Sequence, residues 1–201
     1  MLWSNDSAFA DRSDYRMQVV FLHRVLDAEA EACCARNWNQ YHNGDFNMTH
    51  DSSSGLYLED LAVEQEFLSG EYTLDAEHII AFASAYDPQP FHTDPEAAKN
   101  TFFQEQVASG WHTMAITMRL VVESVPLAHG IIGVNGTVSW PRPTRPGDTL
   151  HVKSRIAEII PSRSKPDRAI VRIHSLTFNQ ADEVVLDFST KALVFSKADA
   201  R

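Results

Sequence analysis

Cysteine is nearly absent from this chain. The two present, Cys33 and Cys34, are adjacent in sequence, and neighbouring cysteines rarely bond to each other, so no disulfide framework is built in. Neither cysteine belongs to a CxxC or Cys/His spacing, and the nine histidines form no HExxH or HxH pattern. No metal is therefore expected. Basic residues are also scarce, 17 lysines and arginines against 27 acids, for a formal net charge of −10. That balance argues against a nucleic-acid partner, which needs a basic stripe, although a few local arginines can still bind an anionic ligand. Long apolar runs are missing: Val19 to Leu22 is cut off by His23 and Arg24, so no membrane span is expected. The N-terminus lacks the basic start and apolar core of a secretory signal, and its acids are unlike a mitochondrial presequence. Together with the cysteines, this makes a reducing cytoplasm the expected setting.

What is present is ordinary for a globular protein: 201 residues, 44% hydrophobic and 22% charged, enough for one well-buried domain and hardly for two. Residues 1–50 are the least informative. Met17, Val20, Phe21, Val25 and Ala28 have helical spacing, which predicts a short amphipathic helix near 14–35. The following RNWNQYHNGDFNMTHDSSSG reads as a polar linker. Residues 1–50 are accordingly expected to be an extension, either a mobile arm or a stretch ahead of a natural start at Met48, and 51–201 the folded domain.

The chain is organised around Tyr86 to His92, YDPQPFH. Ahead of it Ile79, Phe82, Ala83 and Tyr86 recur at i, i+3, i+4 and i+7, one buried face of a helix. Pro88 disfavours the α conformation at Asp87 and should end that helix. Fully extended, the steps from Asp87 to His92 would span roughly 17 Å, so the loop must fold back if the carboxylate and imidazole act together. Pro88 and Pro90 lower the entropy lost in holding such a bend. Asp94 before Pro95, or Thr93 with Glu96, caps a short helix after it. An aspartate before proline is also common turn chemistry.

Further along, Ser109 is the expected N-cap of a long helix whose residues Trp111, Ala115, Met118, Val122 and Val125 trace an apolar stripe. His112 on that helix faces either a channel or the core, and His129 with Gly130 reads as a turn. The period then changes. Segments at 131–140, 148–160, 168–179 and 183–195 are strands by their Val, Ile, Thr and Phe content, and a first strand is expected at Glu71 to Leu74. PRPTRPGD is a turn or crossover, while SRSKPD and NQADE are hairpin loops. The class is α+β with an antiparallel sheet.

YDPQPFHTDPEAA resembles the signature of the MaoC-like dehydratases, the group that includes the (R)-specific enoyl-CoA hydratases. Asp87, Pro90 and His92 fall on its Asp, Pro and His, whereas Tyr86 replaces a glycine and Gln89 an asparagine. The resemblance extends through LYLEDLAVEQEFLSGEYT, VASGWHTMAITMRL and VSWPRPTRPGDTLHV, roughly Leu56 to Lys197. It implies a single hotdog domain, with an antiparallel sheet wrapped around a long central helix, and no doubling, since the motif is not repeated. It also implies reversible hydration of a trans-2-enoyl thioester carried on coenzyme A or acyl carrier protein, no cofactor beyond that coenzyme A, and a homodimer. Asp87 and His92 would hold the reacting water, Asp87 as the base with its pKa raised by burial. The N–H of Gly110 would meet the thioester oxygen. Ser109, which stands where many relatives have histidine, and Gln89 are substrate-binding candidates; Gln89 either fixes the loop through its amide or is simply exposed. Arg142 and Arg145 are candidates for phosphates, or solvated surface residues. Thioester hydrolysis on the same scaffold, or acyl-CoA binding without catalysis, are the alternatives.

Overall fold

The four segments rich in Val, Ile, Thr and Phe form strands: β2 (Ile132–Ser139), β3 (Thr149–Pro161), β4 (Arg168–Phe178) and β5 (Val184–Phe195). In this computed structural model the described residues are 55–197; the helix expected near 14–35 and Met48 lie outside them. The first strand, β1 (Glu66–Thr73), begins at Glu66 rather than Glu71. The reason is tertiary: its ladder with β3 continues past an irregularity between Leu68 and Glu71 to pair Glu66 with Arg155. All pairs are antiparallel, in the order β1-β3-β4-β5-β2. SRSKPD and NQADE close the β3/β4 and β4/β5 hairpins, as expected.

Among the described residues four α-helices accompany the sheet, besides a 3-10 turn at Leu58–Asp60: α1 (Ala76–Tyr86), α2 (Pro90–Thr93), α3 (Pro95–Ala98) and α4 (Gly110–Ser124). Asp75 caps α1 by accepting a 2.8 Å hydrogen bond from the His78 N–H. The helix stops at Asp87, ahead of Pro88. Asp94, rather than Thr93, caps α3, accepting from the N–H groups of Glu96 and Ala97. The turn α2 was not foreseen. Pro90 supplies its first residue, where a missing N–H costs nothing.

Helix α4 lies against the sheet through a face different from the stripe read in the sequence. His112, Thr113, Ile116, Thr117, Leu120 and Val121 are buried, whereas Trp111 is 61% exposed and Ala115 is open as well. The reason is chemical. Thr113 and Thr117 look polar, but their hydroxyls are satisfied inside, Thr117 by Thr177 at 2.7 Å and Thr113 by Thr144 at 3.1 Å. Around them Leu74, Ile79, Leu150, Ile156 and Ile173 form the core between helices and sheet. This is a single α+β hotdog domain. Among the described residues no helix is long and apolar enough to cross a membrane.

Candidate active site

Asp87 and His92 meet because α2 folds the connection back. The Gln89 N–H bonds to the Asp87 carbonyl at 2.7 Å and the His92 N–H to the Gln89 carbonyl at 2.9 Å. Two prolines restrict the remaining freedom. The outcome is a distance of 3.4 Å between Asp87 Oδ2 and His92 Nε2, with the imidazole buried and the carboxylate mostly so. The expected fold-back of this stretch is therefore present.

Each partner is held from behind. His92 Nδ1 lies 2.7 Å from the carbonyl oxygen of Val107. A carbonyl only accepts, so Nδ1 carries the proton, and in the neutral ring Nε2 is a bare acceptor facing Asp87. Gln106 ties the same turn down by donating to the His92 carbonyl at 3.0 Å. On the other side, the Ser109 hydroxyl donates to Asp87 Oδ2 at 2.6 Å and Gln89 Nε2 donates to Oδ1 at 2.8 Å. Of the alternatives for Gln89, the structure shows the amide hydrogen bond within the loop, made by a residue that is exposed.

These bonds reverse one expectation. Burial alone would raise the pKa of Asp87, but the Ser109 hydrogen bond, helped by Gln89 and His92, outweighs it and lowers the value below the ordinary carboxylate range. Asp87 is thus an ionised acceptor at neutral pH. It is not a carboxylate tuned upward by its surroundings.

Ser109 also caps α4, accepting from the Trp111 N–H at 3.2 Å. It is fully buried and does not line the cavity, so the structure places this expected substrate-binding residue behind Asp87 and Gly110 rather than on the wall. The next residue, Gly110, does line the cavity, and among the described residues its N–H has no hydrogen-bond partner. A free N–H at the first turn of a helix is a donor available to an anionic or partly anionic oxygen.

The cavity encloses about 530 Å³ and brings Asp87, Gln89, His92 and Gly110 to one space. Its apolar walls include Phe91, Phe102, Phe103, Trp111 and Trp140. Arg142 reaches the wall, held loosely by Glu183 at 3.3 Å. Arg145 does not; its guanidinium is paired with Glu105 at 2.7 Å. His112 belongs to the core: its ring stacks on Phe82 with centroids 4.5 Å apart, its Nδ1 has no partner among the described residues, and burial lowers its pKa to about 4. His129 sits in the turn ending at Gly130. Among the described residues no three metal-ligating side chains converge. The aromatic wall went unforeseen because its members come from four separate segments; the FF pair in NTFFQEQ and the WP step just after β2 were the available signals.

Comparison with known proteins identifies the family. Residues 60–176 match the family described as "MaoC like domain". A 3-hydroxybutyryl-CoA dehydratase from Methylorubrum extorquens is 31% identical over 147 residues, 72% of this chain and 88% of the relative. Among solved structures, a MaoC-like dehydratase from Rhodospirillum rubrum is 54% identical with a TM-score of 0.70, covering 71% of this chain and 99% of that one. The (R)-hydratase PhaJ1 from Pseudomonas aeruginosa is 26% identical with a TM-score of 0.59, covering 71% and 86%. Sequence, fold and the buried Asp/His pair thus lead to one assignment: the chain belongs to the MaoC-like dehydratase family.

Proposed function

We propose that the protein is a lyase that reversibly adds water across the double bond of a trans-2-enoyl thioester, giving a 3-hydroxyacyl thioester. The observation that carries this reading is the 3.4 Å approach of Asp87 and His92 in the same cavity as the free Gly110 N–H. Water held by the pair attacks the β-carbon, and its proton passes to the pair. His92 Nε2 is the open acceptor, with ionised Asp87 stabilising the imidazolium that forms. The π electrons move to the thioester oxygen, where the Gly110 N–H meets the developing charge, an interaction worth on the order of 3 kcal/mol in comparable sites. The enolate then collapses by taking a proton from the pair at the α-carbon, which restores the starting protonation.

The relatives named as a 3-hydroxybutyryl-CoA dehydratase and an (R)-hydratase support this chemistry. Coenzyme A or an acyl carrier protein is the proposed carrier, with Arg142 at the cavity wall as the cation nearest a phosphate. We further propose a homodimer. The open helix face bearing Trp111 and the exposed strand β2, with Val134 at 55% exposure, are apolar surfaces that a second copy would cover. The cytoplasmic setting suggested by the two cysteines is part of the same reading.

The decisive assay incubates the purified protein with crotonyl-CoA and follows enoyl absorbance and free thiol together. Loss of absorbance without thiol release is expected. Thiol release would point to a thioesterase, and binding with neither change to an acyl-CoA binding protein.

A further inference from the structure

Trp140 stands at the end of β2 and precedes Pro141, which biases it toward extended backbone. Its side chain is directed onto the start of α4. The indole Nε1–H donates to the carbonyl oxygen of Gly110 at 2.9 Å. Its ring lies so close over the glycine that a β-carbon there would sit 3.0 Å from Cε2 and 3.1 Å from Nε1. The ring is itself braced edge-on by Trp111, with centroids 5.6 Å apart. Gly110 is thus gripped on both sides: the preceding residue, Ser109, is bonded to Asp87, and its own carbonyl is bonded to Trp140.

From this juxtaposition we infer that Trp140 is a positioning residue: its indole N–H fixes the peptide after Gly110, and its ring walls the cavity beside the Gly110 N–H, so that this N–H is held ready for the thioester oxygen. The inference rests on the hydration reading above. The physical basis is twofold. A glycine at the first position of a helix has the widest conformational freedom of any residue, and a donor stabilises developing charge only if it is already aimed when the charge appears. One external hydrogen bond to the carbonyl removes much of that freedom. Trp140 touches neither Asp87 nor His92 through any hydrogen bond, so its effect should fall on carbonyl polarisation and leave the proton-transferring pair alone.

The test is Trp140→Phe, which keeps an aromatic wall and removes the N–H, with Trp140→Ala as the larger deletion. Hydration of crotonyl-CoA is measured for kcat and KM separately, and the absorption of bound 2,4-hexadienoyl-CoA is recorded, because a conjugated carbonyl absorbs at longer wavelength when its oxygen accepts a strong hydrogen bond. For Trp140→Phe the expected result is a fall in kcat of about tenfold, as for loss of one hydrogen bond, with KM little changed, a smaller red shift and an unaltered pH profile. Wild-type kcat and red shift in Trp140→Phe would overturn the inference. So would a higher KM with kcat intact, which would make the ring a binding wall alone. Failure of the wild-type protein to hydrate any enoyl thioester would instead overturn the reading of the site, and this inference with it.

Discussion

Ser109 Oγ lies 2.6 Å from Asp87 Oδ2 across 22 residues of chain, and the same oxygen accepts the Trp111 N–H in the first turn of α4. One hydroxyl therefore links the carboxylate to the helix start, and sets how readily that carboxylate takes a proton.

Ser109→Ala should shift the acid limb of kcat/KM to higher pH. The hydrogen bond from Ser109 is the largest cause of the lowered Asp87 pKa; without it the value rises, so ionised Asp87 is lost earlier as pH falls. Loss of the cap should also cost about 1 kcal/mol of stability. A pH–rate profile and a thermal melt check the two effects, and an unmoved acid limb would separate Ser109 from the titration.

Asp87→Asn and His92→Ala should each lower kcat by about a hundredfold or more, the range of positioned acid–base groups. Their stabilities should differ. Removing the imidazole strands the Val107 carbonyl that it now bonds, at a cost of about 1–3 kcal/mol, whereas Asp87→Asn keeps the shape of the side chain. Steady-state kinetics alongside chemical denaturation separates the two.

Gly110→Ala should retain the fold but lose roughly tenfold to a hundredfold in kcat, part of the effect of losing one such donor. The new methyl group would meet the Trp140 ring at 3.0 Å, and either the ring or the helix start must give way. Rates close to wild type with crotonyl-CoA would mean that the N–H, which alanine keeps, has not been displaced by the added methyl group.

His112→Phe should flatten the dependence of stability on pH between about 6.5 and about 4. The folded-state pKa of His112 is lowered from 6.5 to about 4, so as pH falls through that window the unfolded chain binds a proton that the folded chain refuses. Stability is therefore lost toward acid, by up to about 3 kcal/mol for this group. Phenylalanine keeps the stack on Phe82 and has no proton to bind. Denaturation midpoints at several pH values provide the check.

Val134→Glu should shift the protein toward monomer in light scattering. A carboxylate on the exposed face of β2 would have to be desolvated if a second copy covers it. An unchanged mass would place the contact elsewhere.

Much of the domain was legible because it is encoded by neighbours along the chain. Val, Ile, Thr and Phe content marked β2 to β5 within a residue or two, and Pro88, Asp94–Pro95 and Ser109 marked the helix ends. The misreadings occurred where a distant partner decides. The buried side of α4 was misassigned because Thr113 and Thr117 find hydroxyl partners on other segments. The Asp87 shift was given the wrong direction because a hydrogen bond from Ser109 outweighs burial.

By itself, then, the sequence determined the elements, the family signature and the two groups that meet at the proline bend, since each depends on local periodicity, fixed φ angles or residue type. Only the tertiary structure decided which carbonyl sets the proton on His92, which hydroxyl keeps Asp87 charged, and which indole covers Gly110. Those bonds join segments far apart in the chain, and a hydrogen bond between distant residues leaves no spacing to be read.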